Sequence, residues 1–359
     1  GDVVARVGGD EFAVLLEGIH GPGDAVHVSR RIHGALAAPV RLDGVELFPT
    51  VSIGIALSVT GYEHVQDVLR DAETAMRRAR KAGIGRTEVF DRAMQERTMA
   101  RMRLVTELRR AIERDELRVH YQPIVSLADG VITGFEALVR WQHPEQGLVP
   151  PAHFIPAAEE TGLIVPLCAW VLRRACRQVR DWQQRFPADP PLSVSINFTS
   201  SHFTQPDVVN AVVGSLEEAG LEGRQLVMEV TESVLLSDLE AVVSVFAALK
   251  SLDIELHLDD FGTGYSSLSY LHRLPTDAVK IDRSFVGEMA RDHGSEVMVK
   301  TIVELAHNLG RRVVAEGVET HDQLSALRVL ECEQGQGYLF SRPLEAEAAS
   351  ALLATPPRW

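Results

Sequence analysis

Basic residues, thiols and long apolar runs are all in short supply here. Lys and Arg number 36 against 50 Asp and Glu over 359 residues, a formal net charge of −14. Counterion release from a polyanion needs clustered cations, so no nucleic-acid polymer is expected as a partner. A small phosphorylated ligand held through metal ions is still compatible with that balance. The three cysteines, Cys168, Cys176 and Cys332, form no CxxC or Cys/His spacing. That argues against zinc and disulfides and fits thiols acting as small hydrophobes in a reducing, cytoplasmic setting. No apolar run approaches the roughly 18 residues of a membrane span, so no membrane contact is expected from this segment. The chain starts at Gly1 with no Met or secretory leader, which reads as part of a longer protein whose other domains are free to carry a membrane anchor. With 45% hydrophobic residues, a buried core is well supplied.

What is present centres on residues 254–268, IELHLDDFGTGYSSL. Ile254, Leu256 and Leu258 alternate with Glu255 and His257, the two-residue period of a strand. The strand ends on adjacent carboxylates, Asp259 and Asp260, which repel unless cations neutralise them. Gly262 and Gly264 mark a turn, and Ser266 is a candidate N-cap for a following helix.

Upstream, Ala5-Arg6-Val7 leads through Gly8-Gly9-Asp10-Glu11-Phe12 into Ala13-Val14-Leu15-Leu16, the pattern of a tight hairpin. That spelling resembles the signature of the GGDEF domain, the diguanylate cyclase family. A strand at 50–55 and an amphipathic helix at 67–76 fit the resemblance. Three departures stand out. The family's N-terminal half is not in this chain. Asp2 falls where the Asp of the family's RxxD inhibitory site would lie, with its Arg before Gly1. The family's Lys and later Arg near the helix end, which contact triphosphate, are here Arg80 and Ile84. Ile84 cannot pair with a phosphate. Residues 1–91 are therefore expected to be part of an α/β GGDEF domain without cyclase activity. The charged stretch 92–102 reads as a helical linker.

From residue 103 to 356, strand patterns at 117–125, 132–141, 192–198, 226–230, 254–258, 278–281, 312–315 and 338–340 alternate with helical ones. The helical patterns lie at 165–186, 208–219, 237–252, 296–309 and 320–330. Ser237…Glu240 and Thr320…Gln323 read as capping boxes. The turn Ala128-Asp129-Gly130 is too short for a crossover helix, so the first strand pair should be antiparallel. The pattern fits a (β/α)8 TIM-like barrel, with an open doubly wound sheet as the alternative. Seven strands end on polar groups: Glu136, Asn197, Glu229, Asp259 with Asp260, Lys280, Glu316 and Gln336. A barrel would gather them on one face. Oxygen ligands of this kind suit Mg²⁺, Mn²⁺ or Ca²⁺.

The motif Glu136-Ala137-Leu138 within FEALVRWQHP resembles the EAL family of cyclic di-GMP phosphodiesterases. Tyr121-Gln122-Pro123-Ile124, Ser195-Ile196-Asn197, Glu229-Val230-Thr231-Glu232, Lys280-Ile281-Asp282, Ala315-Glu316-Gly317-Val318-Glu319 and Gln336-Gly337-Tyr338 extend the match over 103–356. The resemblance implies two Mg²⁺ or Mn²⁺ ions per active site. Glu136, Asn197, Glu229 and Asp259 would bind one, Asp259 and Asp260 the other, and Gln336 would fix a metal-bound water. Lys280 would contact the attacking water or the phosphate, and Glu316 would be a metal-site ligand or general base. Glu232 would anchor the loop 261–267 through Thr263 or Ser266. Gln122, Leu138 and Arg140 would contact cyclic di-GMP, with Arg140 toward phosphate. The implied reaction opens cyclic di-GMP to linear pGpG, Ca²⁺ is expected to inhibit it, and a homodimer is the implied assembly. Glu331 stands where the family often has Gly. Two other readings compete: a cyclic di-GMP receptor without turnover, and a barrel lyase using the same carboxylates with Mg²⁺.

Overall fold

The computed structural model describes residues 2–42, 45–58, 61–90, 92–203, 205, 207–232, 234, 239–263, 274–289, 292–357 and 359. Gly264, Ser266, Ser267 and the Ser237 cap lie outside the described residues. The chain divides into two units, Gly1–Arg103 and Leu104–Trp359. The division falls within the helix Arg92–Glu113.

In the first unit, β1 (Val3–Gly8) and β2 (Glu11–Leu15) pair antiparallel, with Gly8 opposite Glu11. Gly9 turns the tip in a left-handed conformation, and Arg6 donates to its carbonyl at 2.6 Å. A short hairpin, β3 (Val40–Leu42) with β4 (Val45–Leu47), follows the helix Pro22–Leu36. β5 (Ile53–Ile55) and β6 (Thr87–Val89) pair in parallel under the helix Val65–Lys81. Gly54 admits that helix closely: a Cβ there would sit 2.0 Å from the Ala72 carbonyl oxygen. Ala75 and Phe90 form the buried centre, whereas Val3, Val4 and Phe12 are exposed.

The second unit is a closed barrel of eight strands. They are β7 (Leu117–Ser126), β8 (Ile132–His143), β10 (Ser193–Phe198), β11 (Leu226–Thr231), β12 (Glu255–Phe261), β13 (Ala278–Ile281), β14 (Arg312–Ala315) and β15 (Gln334–Gly335). The short β9 (Gly147–Val149) extends β8 outside the ring. β8 and β10–β15 run parallel in sequence order, and β7 is antiparallel to both its neighbours, β8 and β15. The α/β TIM-like barrel with an antiparallel first pair is thus the observed fold. Closure at β15 takes only Gln334 and Gly335, reinforced by reciprocal hydrogen bonds between Tyr121 and Leu344.

The expected last strand at 338–340 is a turn instead. Ser341 and Phe340 donate back to the Gly337 carbonyl, and Leu339 donates to Val318. The closing strand lies earlier because Gly337 packs directly on Val318, where a Cβ would come within 2.1 Å of the Val318 oxygen. Helices Pro151–Thr161 and Ala346–Ala354 also join the shell, beyond those expected. Thr320 caps its helix as expected, with Gln323 completing the box. The main core lies between barrel and shell, with Val194, Leu226, Leu256 and Val279 meeting Val179, Trp182 and Phe246. Among the described residues, no helix is long and apolar enough to cross a membrane.

Candidate active site

Because the parallel strands end together, their last interior-facing residues share one mouth. At one side, Glu136 is held by amides. Its Oε1 accepts from Asn197 Nδ2 at 2.7 Å and its Oε2 from Gln336 Nε2 at 2.6 Å. The Gln336 amide also donates to Gln122 Oε1 at 2.9 Å, and Gln122 donates to the Ser341 carbonyl. Burial pushes the Glu136 carboxyl up, but the Lys280 charge and the two amides outweigh it and hold it below the usual range.

Lys280 occupies the centre and is fully buried. Its Nζ lies 2.6 Å from Glu316 Oε1, 2.8 Å from Glu229 Oε2 and 3.2 Å from Asp259 Oδ1. Burial disfavours its charge, yet Asp259, Glu136, Glu229 and Glu316 together keep its pKa well above the ordinary value. The acids bear the cost of that crowding. Burial, with Glu136 and Asp259 nearby, lifts Glu229 well above the usual carboxylate range against the pull of Lys280. Glu316 is pushed up to about 7 by burial and by Asp259 and Glu136.

Strand alternation alone would turn Asp259 and Asp260 to opposite faces. The register between β12 and β13 shifts between Leu258 and Phe261, and Asp260 adopts a φ of 53°. This local irregularity, of a kind common next to active sites, brings carboxylate oxygens of Asp259, Asp260 and Glu316 within 4.8 Å of one another. Burial and then the charges of Asp259 and Asp282 raise the Asp260 pKa. Asp282 closes the run Lys280-Ile281-Asp282. Its signal was a further acid two residues beyond Lys280, and it also accepts from Ser284 N at the start of helix Arg283–Glu288.

Glu232 lies apart from this cluster and accepts from Gly262 N at 2.9 Å. The expected partner Thr263 instead bonds the Asp260 carbonyl through both its N–H and its hydroxyl. Ser266, the other expected partner, lies outside the described residues. Gly262 has a φ of 96° and sits against Phe285, where a Cβ would be 2.9 Å from the ring. Leu138 and Arg140 follow Glu136 at two-residue steps on β8, opposite His120 and Arg118 of β7. They make no hydrogen bond to the acid cluster among the described residues, and Arg140 donates to the Val139 carbonyl at 2.8 Å.

A family model described as the EAL domain matches residues 105–343, and one described as "Diguanylate cyclase, GGDEF domain" matches residues 1–86. The chain is 41% identical over 362 residues to the cyclic di-GMP phosphodiesterase NbdA of Pseudomonas aeruginosa, covering 99% of this chain and 46% of that protein. It is 38% identical to the bifunctional diguanylate cyclase/cyclic di-GMP phosphodiesterase MucR of the same organism, covering 98% and 51%. The chain therefore spans about half the length of these curated relatives. A solved structure titled "PaMucR Phosphodiesterase, c-di-GMP complex" superposes with a TM-score of 0.66 at 42% identity, over 69% of this chain and 99% of that one.

Proposed function

Because the chain belongs to the EAL domain family, with a GGDEF segment ahead of the barrel, we propose that it hydrolyses one phosphodiester of cyclic di-GMP to linear pGpG with Mg²⁺ or Mn²⁺. The observation that carries this reading is the charge imbalance at the barrel mouth. Glu136, Glu229, Asp259, Asp260 and Glu316 gather around a single buried cation, Lys280. Two buried acceptors there, Glu229 Oε1 and Gln336 Oε1, have no hydrogen-bond partner among the described residues. Unsatisfied oxygens and surplus negative charge fit hard divalent cations.

Glu136, Asn197, Glu229 and Asp259 would hold one ion, and Asp259 with Asp260 the other. Bound there, the cations would lower the pKa of a coordinated water and neutralise phosphoryl oxygens. The chain's own residues do the rest. Glu316, raised to about 7, suits a carboxylate that takes a proton from the attacking water near neutral pH. Lys280 keeps its charge despite burial and so offsets the negative charge that develops at phosphorus. Gln336 and Asn197 fix the Glu136 carboxylate in one orientation. Gln122, Leu138 and Arg140 would position the dinucleotide, and a homodimer is the proposed assembly.

The test is turnover of cyclic di-GMP with Mg²⁺ or Mn²⁺, assayed beside Asp259→Asn. Wild type should release pGpG, chelation and Ca²⁺ should each suppress it, and Asp259→Asn should retain less than about a tenth of the rate, since an amide cannot supply the anionic bridge. Binding without turnover in wild type would instead favour a receptor. A fully active Asp259→Asn would remove the metal assignment.

A further inference from the structure

Strands β7 and β8 present three successive cross-strand pairs on the side that carries the site: Gln122 with Glu136, His120 with Leu138, and Arg118 with Arg140. The first pair lies in the hydrogen-bond network described above. The outermost pair sets two arginines opposite each other in register, and like charges so placed on a sheet repel. At least eight other arginines in this acidic chain lie within ion-pair reach of a carboxylate. Arg118 and Arg140 do not, among the described residues. The acid that acts electrostatically on Arg140 is Glu136, which is already held by Asn197 and Gln336.

Arg118 is anchored only through Nη1, which donates to the carbonyls of Asp115 at 2.6 Å and Leu117 at 2.7 Å. Arg140 likewise spends Nη1 on its neighbouring carbonyl. Each guanidinium carries five N–H donors in a planar fork. Among the described residues, Nε and Nη2 of both make no hydrogen bond. Two half-used forks at opposed register positions of the strand pair that carries Gln122 and Glu136 offer donors for an oxyanion bridged between them.

We propose that Arg118 is a specificity-determining residue. With Arg140 it grips the phosphodiester of cyclic di-GMP that lies farther from Asp259 and Asp260, the one that is not cut. The inference rests on the phosphodiesterase reading and adds a second arginine to its substrate contacts. Gripping the uncut phosphate selects a dinucleotide over a substrate with one phosphodiester, because only the former engages both ends of the site.

Steady-state hydrolysis by wild type, Arg118→Gln and Arg118→Lys at several salt concentrations tests it, alongside equilibrium dialysis of cyclic di-GMP and thermal melts of all three. Arg118→Gln should raise KM about tenfold, the loss of one charge-assisted contact, with kcat falling less than threefold. Arg118→Lys should fall between, since it keeps the charge without the fork. Added salt should raise the KM of wild type more steeply than that of Arg118→Gln. A KM and a dissociation constant within twofold of wild type in Arg118→Gln would overturn the proposal while leaving the phosphodiesterase reading intact. A fall in kcat with KM unmoved would overturn it too. A wild type that neither binds nor hydrolyses cyclic di-GMP would defeat both.

Discussion

Glu255 shows how one side chain at the base of the barrel answers to its neighbours. Burial opposes its ionisation, but the hydrogen bond with His257 and the charge of Arg312 outweigh that and hold it at about 2. A carboxyl depressed on folding adds stability above its unfolded pKa and loses it as pH falls toward the folded value. The barrel should therefore lose stability between roughly pH 5 and pH 2 through this group. Unfolding midpoints measured across that range should drop more steeply in wild type than in Glu255→Gln. Parallel curves would show that Glu255 is not the titrating group. The same logic inverts at Glu316, where the net effect of burial and neighbouring acids exceeds the pull of the single lysine. Two glutamates of one barrel are thus driven in opposite directions by the balance of burial and neighbouring acids against hydrogen bonds and cations.

At the scale of elements, the end of helix His321–Val329 is informative. Cys332 N bonds the Leu327 carbonyl and Glu331 N the Arg328 carbonyl, the paired closure of a Schellman motif. Its left-handed residue is Glu331, with a φ of 60°, where Gly is favoured. A Gly at this position, as the sequence resemblance leads one to expect, would have a backbone cause. Glu331→Gly should stabilise the barrel by about 0.5–1 kcal/mol, read as a higher urea midpoint with an unchanged slope. A lower midpoint would mean that the gain in chain entropy on unfolding prevails. The turn after β12 is an element of the opposite kind, in which strain serves the site. Asp260 and Gly262 both adopt positive φ, and Glu232 fastens the Gly262 amide. Glu232→Ala should shift the Mg²⁺ midpoint for hydrolysis upward and lower turnover while leaving the melt near wild type. An unmoved midpoint and rate would show that Glu232 does not hold the turn proposed to bind metal.

For the molecule as a whole, the two units differ in what they bury. The barrel unit packs a continuous core between strands and shell, whereas the first unit buries a small centre around Ala75 and Phe90 and exposes Val3, Val4, Val7 and Phe12. Ile84 is 83% exposed and offers no charge where a triphosphate contact is expected. With GTP and Mg²⁺, this chain should form no cyclic di-GMP even when Asp260→Asn blocks its loss. Product detected by chromatography would reverse that expectation.

The sequence by itself determined the barrel, most of its strands and the set of polar residues at its mouth. Two-residue alternation and strand-end acids are local properties, and a closed parallel barrel has one place to put them. The site partners Glu136, Asn197, Gln336 and Gln122, up to 214 residues apart, followed from that topology. Tertiary structure decided what local pattern leaves open. The closing strand moved to Gln334–Gly335 because Gly337 had to seat against Val318, a contact with no local signature. Glu232 accepts from the Gly262 amide, at a backbone position that Phe285, from a later helix, crowds too closely for a side chain. Asp259 and Asp260 came to share one side through a register shift against β13, which period-two reasoning cannot foresee. Alternation specifies a face only while the ladder is regular, and here the ladder breaks at the two residues proposed to hold metal.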